Sequence, residues 1–274
     1  MRNSRPSEFI YQLAALFIAV IVVHSIYVTI VRPRAEVDVA LQTAQMQADP
    51  NAVPERSVWI IIRDFEQEAC FVLMLWAMAM MAAKWVATNR ETRLLDSDLI
   101  PVAPGIRILP EDAREYTRQI QALPAKDRRA LLPRALESAL NRFSATGSIQ
   151  AASETAPAAC EAAAERLDSE LAMVRYIAWA IPSIGFIGTV RGIGEALGLA
   201  HKAVAGEISG VTRSLGIAFN STFIALLISI VLMFLLHQLQ LQQERLVLDT
   251  SSYIDDGLVE HLQVAAPVSA ERLG

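Results

Sequence analysis

Apolar residues along this chain gather in four long blocks between polar segments, instead of recurring singly at helix or strand spacing. The first block, 9 to 31, runs 23 residues without Asp, Glu, Lys or Arg. At about 1.5 Å of helix rise per residue it can cross a hydrocarbon core of about 30 Å. Val31-Arg32-Pro33-Arg34 behind it offers no small-residue cleavage site, so the block reads as a retained span ending at Val31 and not as a removed leader. Blocks at 69 to 87, 174 to 196 and 215 to 237 predict three more spans.

The polar stretches predict helices too. Pro110-Glu111-Asp112 resembles a helix start, with proline in the first turn beside acids that favour the helix N-terminus. A second helix is expected over 125 to 145, bent or restarted at Pro133. Pro157 is expected to open a helix that runs unbroken into span three, because Leu167, Leu171, Val174 and Ala178 share one face. Leu239, Leu246 and Tyr253 recur every seven residues, so span four also continues past the apolar block until Gly257 interrupts it. The predicted fold is all-α: a polytopic membrane protein of four transmembrane helices, with spans three and four extended into a cytoplasmic helical bundle. Its segments are 1–87 (two spans and an outer loop), 88–173 (cytoplasmic helices), 174–237 (a core pair of spans) and 238–274 (a C-terminal cytoplasmic helix and tail).

Composition agrees with this pattern: 53% of the 274 residues are hydrophobic and mean hydropathy is +0.35. Lys and Arg orient the spans, since fifteen fall before span one, in 88–173 and after span four, against six in the two other connections. Both termini are thus placed on the cytoplasmic side. A net charge of -5 and no basic stripe along the chain give no footprint for nucleic acid. Cys70 and Cys160 fall on opposite sides of this topology and read as structural, without metal-ligand spacing. His24, the one mid-span histidine, has no acid at helical spacing and is expected to pack or to bond another helix.

The third block carries residues that lipid disfavours. In IPSIGFIGTVRGIGEALG, residues 181 to 198, five glycines accompany a proline, a threonine, an arginine and a glutamate. A nucleotide-binding turn is excluded by the lack of a preceding strand and by the spacing of Gly198. Small residues instead let helix backbones touch, and Gly185, Thr189, Gly192 and Ala196 form one stripe with Gly188 beside it. Pro182 deletes one backbone hydrogen bond and is expected to kink the helix. Span four offers a matching stripe, Ala218, Thr222, Ala225 and Ser229, flanked by Asn220 and Ser221. Counting residues puts Thr189 roughly 20 Å from the inner boundary and Thr222 roughly 10 Å from the outer one, so the hydroxyls come out level. Arg191 and Glu195 are expected to pair across one helix turn near the outer boundary, away from the stripe. No Asp or Glu is expected at the threonine depth.

The run from Pro182 to Ile193, followed by Ala218-Phe219-Asn220-Ser221-Thr222-Phe223-Ile224-Ala225-Leu226, resembles the paired core helices of the MotA/TolQ/ExbB proton-channel family. The likeness extends over about 160 to 250. It implies a ring, usually of five subunits, around a single-span ExbD/TolR/MotB-like subunit with a membrane aspartate. It also implies that Thr189 and Thr222 stand at the family's pore threonines and Pro182 at a proline of the flagellar-stator branch, although span four lacks that branch's second proline. The expected function is an ion-conducting subunit of the bacterial inner membrane, passing protons or sodium ions and coupling the gradient to mechanical work in the partner, with no enzyme chemistry, cofactor or metal. The ion pathway is assigned to Thr189, Thr222, Ser221 and Asn220, and close packing to Pro182, Gly185, Gly188, Gly192, Ala218 and Ala225. The competing class is a non-conducting oligomeric scaffold in membrane lipid that recruits cytoplasmic partners.

Overall fold

The computed structural model describes residues 4–48, 57–97, 99–100 and 106–264. The expected C-terminal tail beyond residue 264, and the middle of the outer loop, lie outside the described residues. The chain divides into two compact units, one of Met1–Ala83 with Ala172–His237, the other of Lys84–Leu171 with Gln238–Gly274. Among the described residues four helical stretches are long and apolar enough to cross a membrane. Among the described residues there is no strand, only one isolated parallel bridge between Ile108 and Leu262.

In the first unit α1 (Ser4–Ile26) does not end before Arg32-Pro33-Arg34. It passes through a π-turn at Tyr27–Val31 and continues as α2 (Arg32–Ala48). Pro33 has no N–H to donate, and the turn just before it shifts to the wider register, with the Arg32 N–H on the Tyr27 carbonyl. The span boundary placed at Val31 is therefore not a helix end. After the short α3 (Val58–Ile61), α4 (Phe65–Leu95) descends along α1. Val23, Tyr27 and Val31 pack there against Phe71, Val72 and Leu75. Trp76 Nε1 donates to the Gln12 carbonyl at 2.9 Å, and the Tyr11 hydroxyl donates to that of Ala79 at 3.1 Å. Arg32 lies over the Phe65 ring and Arg34 over Trp59.

The second unit has a core of ordinary aqueous kind. α5 (Ala113–Gln121), α6 (Leu131–Thr146), α7 (Ile149–Ser153) and α8 (Thr155–Glu170) bury Ile120, Leu136, Leu140 and Phe143 together with Ile254 and Leu258. Several boundaries differ from the sequence reading. Pro110 to Asp112 forms a turn ahead of α5, with the Leu109 N–H on Asp112 Oδ2. α6 begins at Leu131, not near 125, because Ala130 is extended and Glu91 Oε2 accepts the Leu131 N–H. Pro133 then falls in the first turn, where no N–H is needed. Pro157 likewise sits in the first turn of α8, and a single buried residue, Leu171, interrupts the expected continuous helix.

α9 (Ala172–Gly198), α10 (Ala200–Val204) and α11 (Ser209–Gly257) follow. Pro182 lies inside α9 without ending it. The carbonyl that its missing N–H would have engaged, that of Ala178, accepts the Ser229 hydroxyl from α11 at 3.3 Å.

Candidate functional site

The seam between α9 and α11 is set by glycine. A Cβ on Gly185 would stand 2.4 Å from the Ala225 Cβ, one on Gly188 2.5 Å from the Ser221 Cβ, and one on Gly192 2.7 Å from the Ser214 carbonyl. No side chain fits at these three positions without separating the helices. Gly194 and Gly198, on other faces, have open space there.

This approach brings Thr189 and Thr222 together. Their hydroxyls hydrogen-bond each other, and either can donate. Each also reaches the opposite backbone: Thr189 Oγ1 lies 3.0 Å from the Ala218 carbonyl, and Thr222 Oγ1 lies 3.1 Å from that of Gly185. The Gly185 carbonyl is thus near both hydroxyls, since Thr189 Oγ1 is 3.3 Å away. Ala218 and Ala225 are fully buried in this seam, Asn220 is half-buried beside it, and Ser221 is buried with its hydroxyl donating to Ile217 O at 3.0 Å.

A third element, the head of α4, was missed at this level in the sequence. Gln67, fully buried, donates from Nε2 to the Ile61 carbonyl at 3.1 Å and approaches Ser221 Oγ at 3.5 Å. Glu66 Cγ lies 3.1 Å from where a Gly188 Cβ would be. Glu66 therefore stands one residue from the level of Thr189, which corrects the expectation of no carboxylate near that depth. Its two oxygens take Nε and Nη2 of Arg191 at 2.7 and 2.9 Å, a bidentate pair, while Nη1 makes the expected bond to Glu195 at 2.9 Å. Glu68, 8% exposed, accepts from Arg32 at 2.6 Å and is 2.7 Å from His24 Nδ1. His24 thus bonds another helix. The available signal was a Glu-Gln-Glu run at the end of an apolar block; its charges led the span to be started four residues late.

Hydroxyls and carbonyls face each other in a seam otherwise of glycine and alanine, with a charged cluster on one side. Among the described residues no group of His, Cys, Asp and Glu is placed to hold a metal. The model of the MotA/TolQ/ExbB proton channel family matches residues 127–252, which include α6 to α10 and nearly all of α11 and exclude the head of α4. No curated protein and no solved structure matches the chain.

Proposed function

We propose, on the premise that the chain belongs to the MotA/TolQ/ExbB proton channel family over residues 127–252, that this multi-pass membrane protein is an ion-conducting subunit of a bacterial inner-membrane motor. In this reading both termini lie in the cytoplasm, and a homo-oligomer, a pentamer in the family pattern, surrounds a single-span ExbD/TolR/MotB-like partner with a membrane aspartate. Protons or sodium ions pass along Thr189, Thr222, Ser221 and Asn220 and exchange with that aspartate, and the partner turns the flow into mechanical work. The hydrogen-bonded threonine pair in a seam of small residues carries this reading. A hydroxyl can hand on a cation in a low-dielectric seam without the cost of a permanent buried charge.

The same observation favours a second reading. Each hydroxyl already has partners in the opposite helix, as a purely mechanical latch in a non-conducting scaffold would. Thr189→Val and Thr222→Val separate the two, because valine keeps the shape and deletes the hydroxyl. With the partner co-expressed, conduction predicts ion flux reduced about tenfold, the scale of one hydrogen bond of about 1.4 kcal/mol, at unchanged subunit count. Serine at either position should retain most of the flux. Normal flux in both valine variants would leave the scaffold.

A further inference from the structure

Four carboxylates meet three guanidinium groups at the head of α4. Glu68 is engaged by Arg32 and His24, and Glu66 with Glu195 by Arg191. Among the described residues the fourth, Asp64, is paired with Arg63 alone, at 3.5 Å from Oδ1. Its Oδ2 is buried and has no hydrogen-bond partner among the described residues. Two further buried groups of this unit have no hydrogen-bond partner among the described residues: the hydroxyl of Tyr27, 3% exposed, and Oε1 of Gln67, fully buried. The charged groups that act on the Tyr27 hydroxyl are Glu68, Arg32 and Asp64, and those that act on Asp64 are Arg63, Arg191 and Glu66. The Asp64 carboxylate thus carries one buried oxygen without a donor, in a unit that also holds an unpartnered Tyr27 hydroxyl and Gln67 Oε1. One bound cation removes both the excess charge and the missing donor.

We propose that Asp64 is a proton-binding carboxyl of this chain, holding one exchangeable proton on the outer side of the threonine pair. α4 and α9 run antiparallel, with Cys70 Sγ on the Ile181 carbonyl and Glu66 beside Gly188, so Asp64 comes toward Thr189 and Arg191. The proton arrives from hydronium, leaving a neutral water, or from water, leaving hydroxide, and sits on Oδ2 as an O–H that can donate to a neighbouring oxygen. Burial pushes the Asp64 carboxyl above the usual carboxylate range, against the nearby Arg63 and Arg191 charges, which favours the protonated form. Asp64, Arg63, Tyr27 and Gln67 lie outside the family-matched residues 127–252, whereas Arg191 and Glu195 lie within them. What the proton is used for rests on the ion-conducting reading; the site itself does not.

The test is infrared spectroscopy of the full chain, with its copurifying partner, in lipid nanodiscs near neutral pH, reading the carbonyl stretch of protonated carboxyl groups. Asp64→Asn keeps the shape and supplies an N–H where the protonated acid has O–H, so assembly is expected to survive. It should remove one protonated carboxyl per chain. A band unchanged in Asp64→Asn overturns the proposal. So does a wild-type band that sodium displaces, because the site would then take a metal cation. Loss of the band with reduced flux ties the proton to conduction. Loss of the band with normal flux keeps the site and refutes that use, and it leaves the threonine test to decide the channel reading separately.

Discussion

The seam of α9 with α11 and the core around α6 solve the same problem with opposite residues. Around α6, Phe143, Leu136 and Leu140 are fully buried with Ile120 and Ile254, and expulsion of apolar area from water drives the packing. Around the threonine pair the buried residues of α9 and α11 include Gly185, Gly188, Gly192, Ala218 and Ala225 with Ser214 and Ser221, Ile177, Ile181, Leu232 and Leu236 are buried elsewhere on the same helices, and Phe186, Phe219, Phe223 and Phe234 are exposed. Lipid is as apolar as leucine, so a large side chain gains nothing by turning inward; helices that meet there depend on close backbone contact and on interhelical hydrogen bonds. The difference teaches which substitutions each region will tolerate. The seam should fail on added volume and lost hydroxyls, the α6 core on lost volume.

The largest effect is expected from added volume in the seam. Gly192→Leu would drive a side chain into the Ser214 carbonyl and the Ala218 N–H, neither of which can move without shifting α11. It should cost more than the roughly 1–3 kcal/mol of ordinary overpacking and abolish the stable assembly in detergent. Gly194→Ala, with open space at its Cβ, should leave melting temperature and subunit count unchanged. Equal damage from both would erase the contrast between the stripe and the other faces of α9.

Lost volume is the next test. Phe143→Ala should cost about 3–5 kcal/mol, because Phe143 is fully buried and its neighbours on other helices cannot all close the cavity. Chemical denaturation followed by proteolysis should show cleavage within 84–171 at lower denaturant than for wild type. A seam that melts first would contradict the assignment of that energy to the α6 core.

Legibility in the sequence followed the range of the signals. The stripes on α9 and α11 are local and periodic, so Thr189, Thr222 and the glycines could be paired from spacing alone. The boundaries of α5 and α6 depended on contacts outside their own turns, such as Glu91 with the Leu131 N–H, and were misplaced. The Glu66–Arg191 pair spans 125 positions, and no periodicity reports it. The first block is bounded at Val31 by charge, and the helix runs on past it because a π-turn absorbs the defect that Pro33 would otherwise impose.

Smaller effects sharpen the comparison through pH and the backbone. The Asp64 carboxyl is raised by burial, so the stability it contributes is fully present in acid and is lost as pH rises from the ordinary carboxylate range through its own. Asp64→Asn should flatten that part of the pH–melting curve, and an unchanged curve would show that the carboxyl does not titrate there. In the other unit, Gly147 ends α6 at φ 63° with its N–H on the Phe143 carbonyl. Gly147→Ala should destabilise that unit by about 1 kcal/mol, by strain alone, since nothing crowds its Cβ. An effect as large as that of Phe143→Ala would mean that the helix end matters as much as the core.

The smallest expected effect isolates one hydrogen bond in the seam. Pro182 leaves the Ala178 carbonyl without its intrahelical donor, and the Ser229 hydroxyl takes that place from α11 at 3.3 Å. Ser229→Ala should therefore cost about 0.6 kcal/mol and no more than about 1.7, the range for interhelical hydrogen bonds in membranes. Pro182→Ala restores an N–H that can reach the Ala178 carbonyl inside α9. In that background the carbonyl no longer depends on α11, and Ser229→Ala should cost nothing measurable. The double-mutant cycle, read as melting temperature or steric trapping in bilayers, gives the coupling directly. A full cost for Ser229→Ala in the Pro182→Ala background would show that the hydroxyl acts by packing. The seam would then be held by its small-residue surface alone, and the proline and serine would be unrelated features of neighbouring helices.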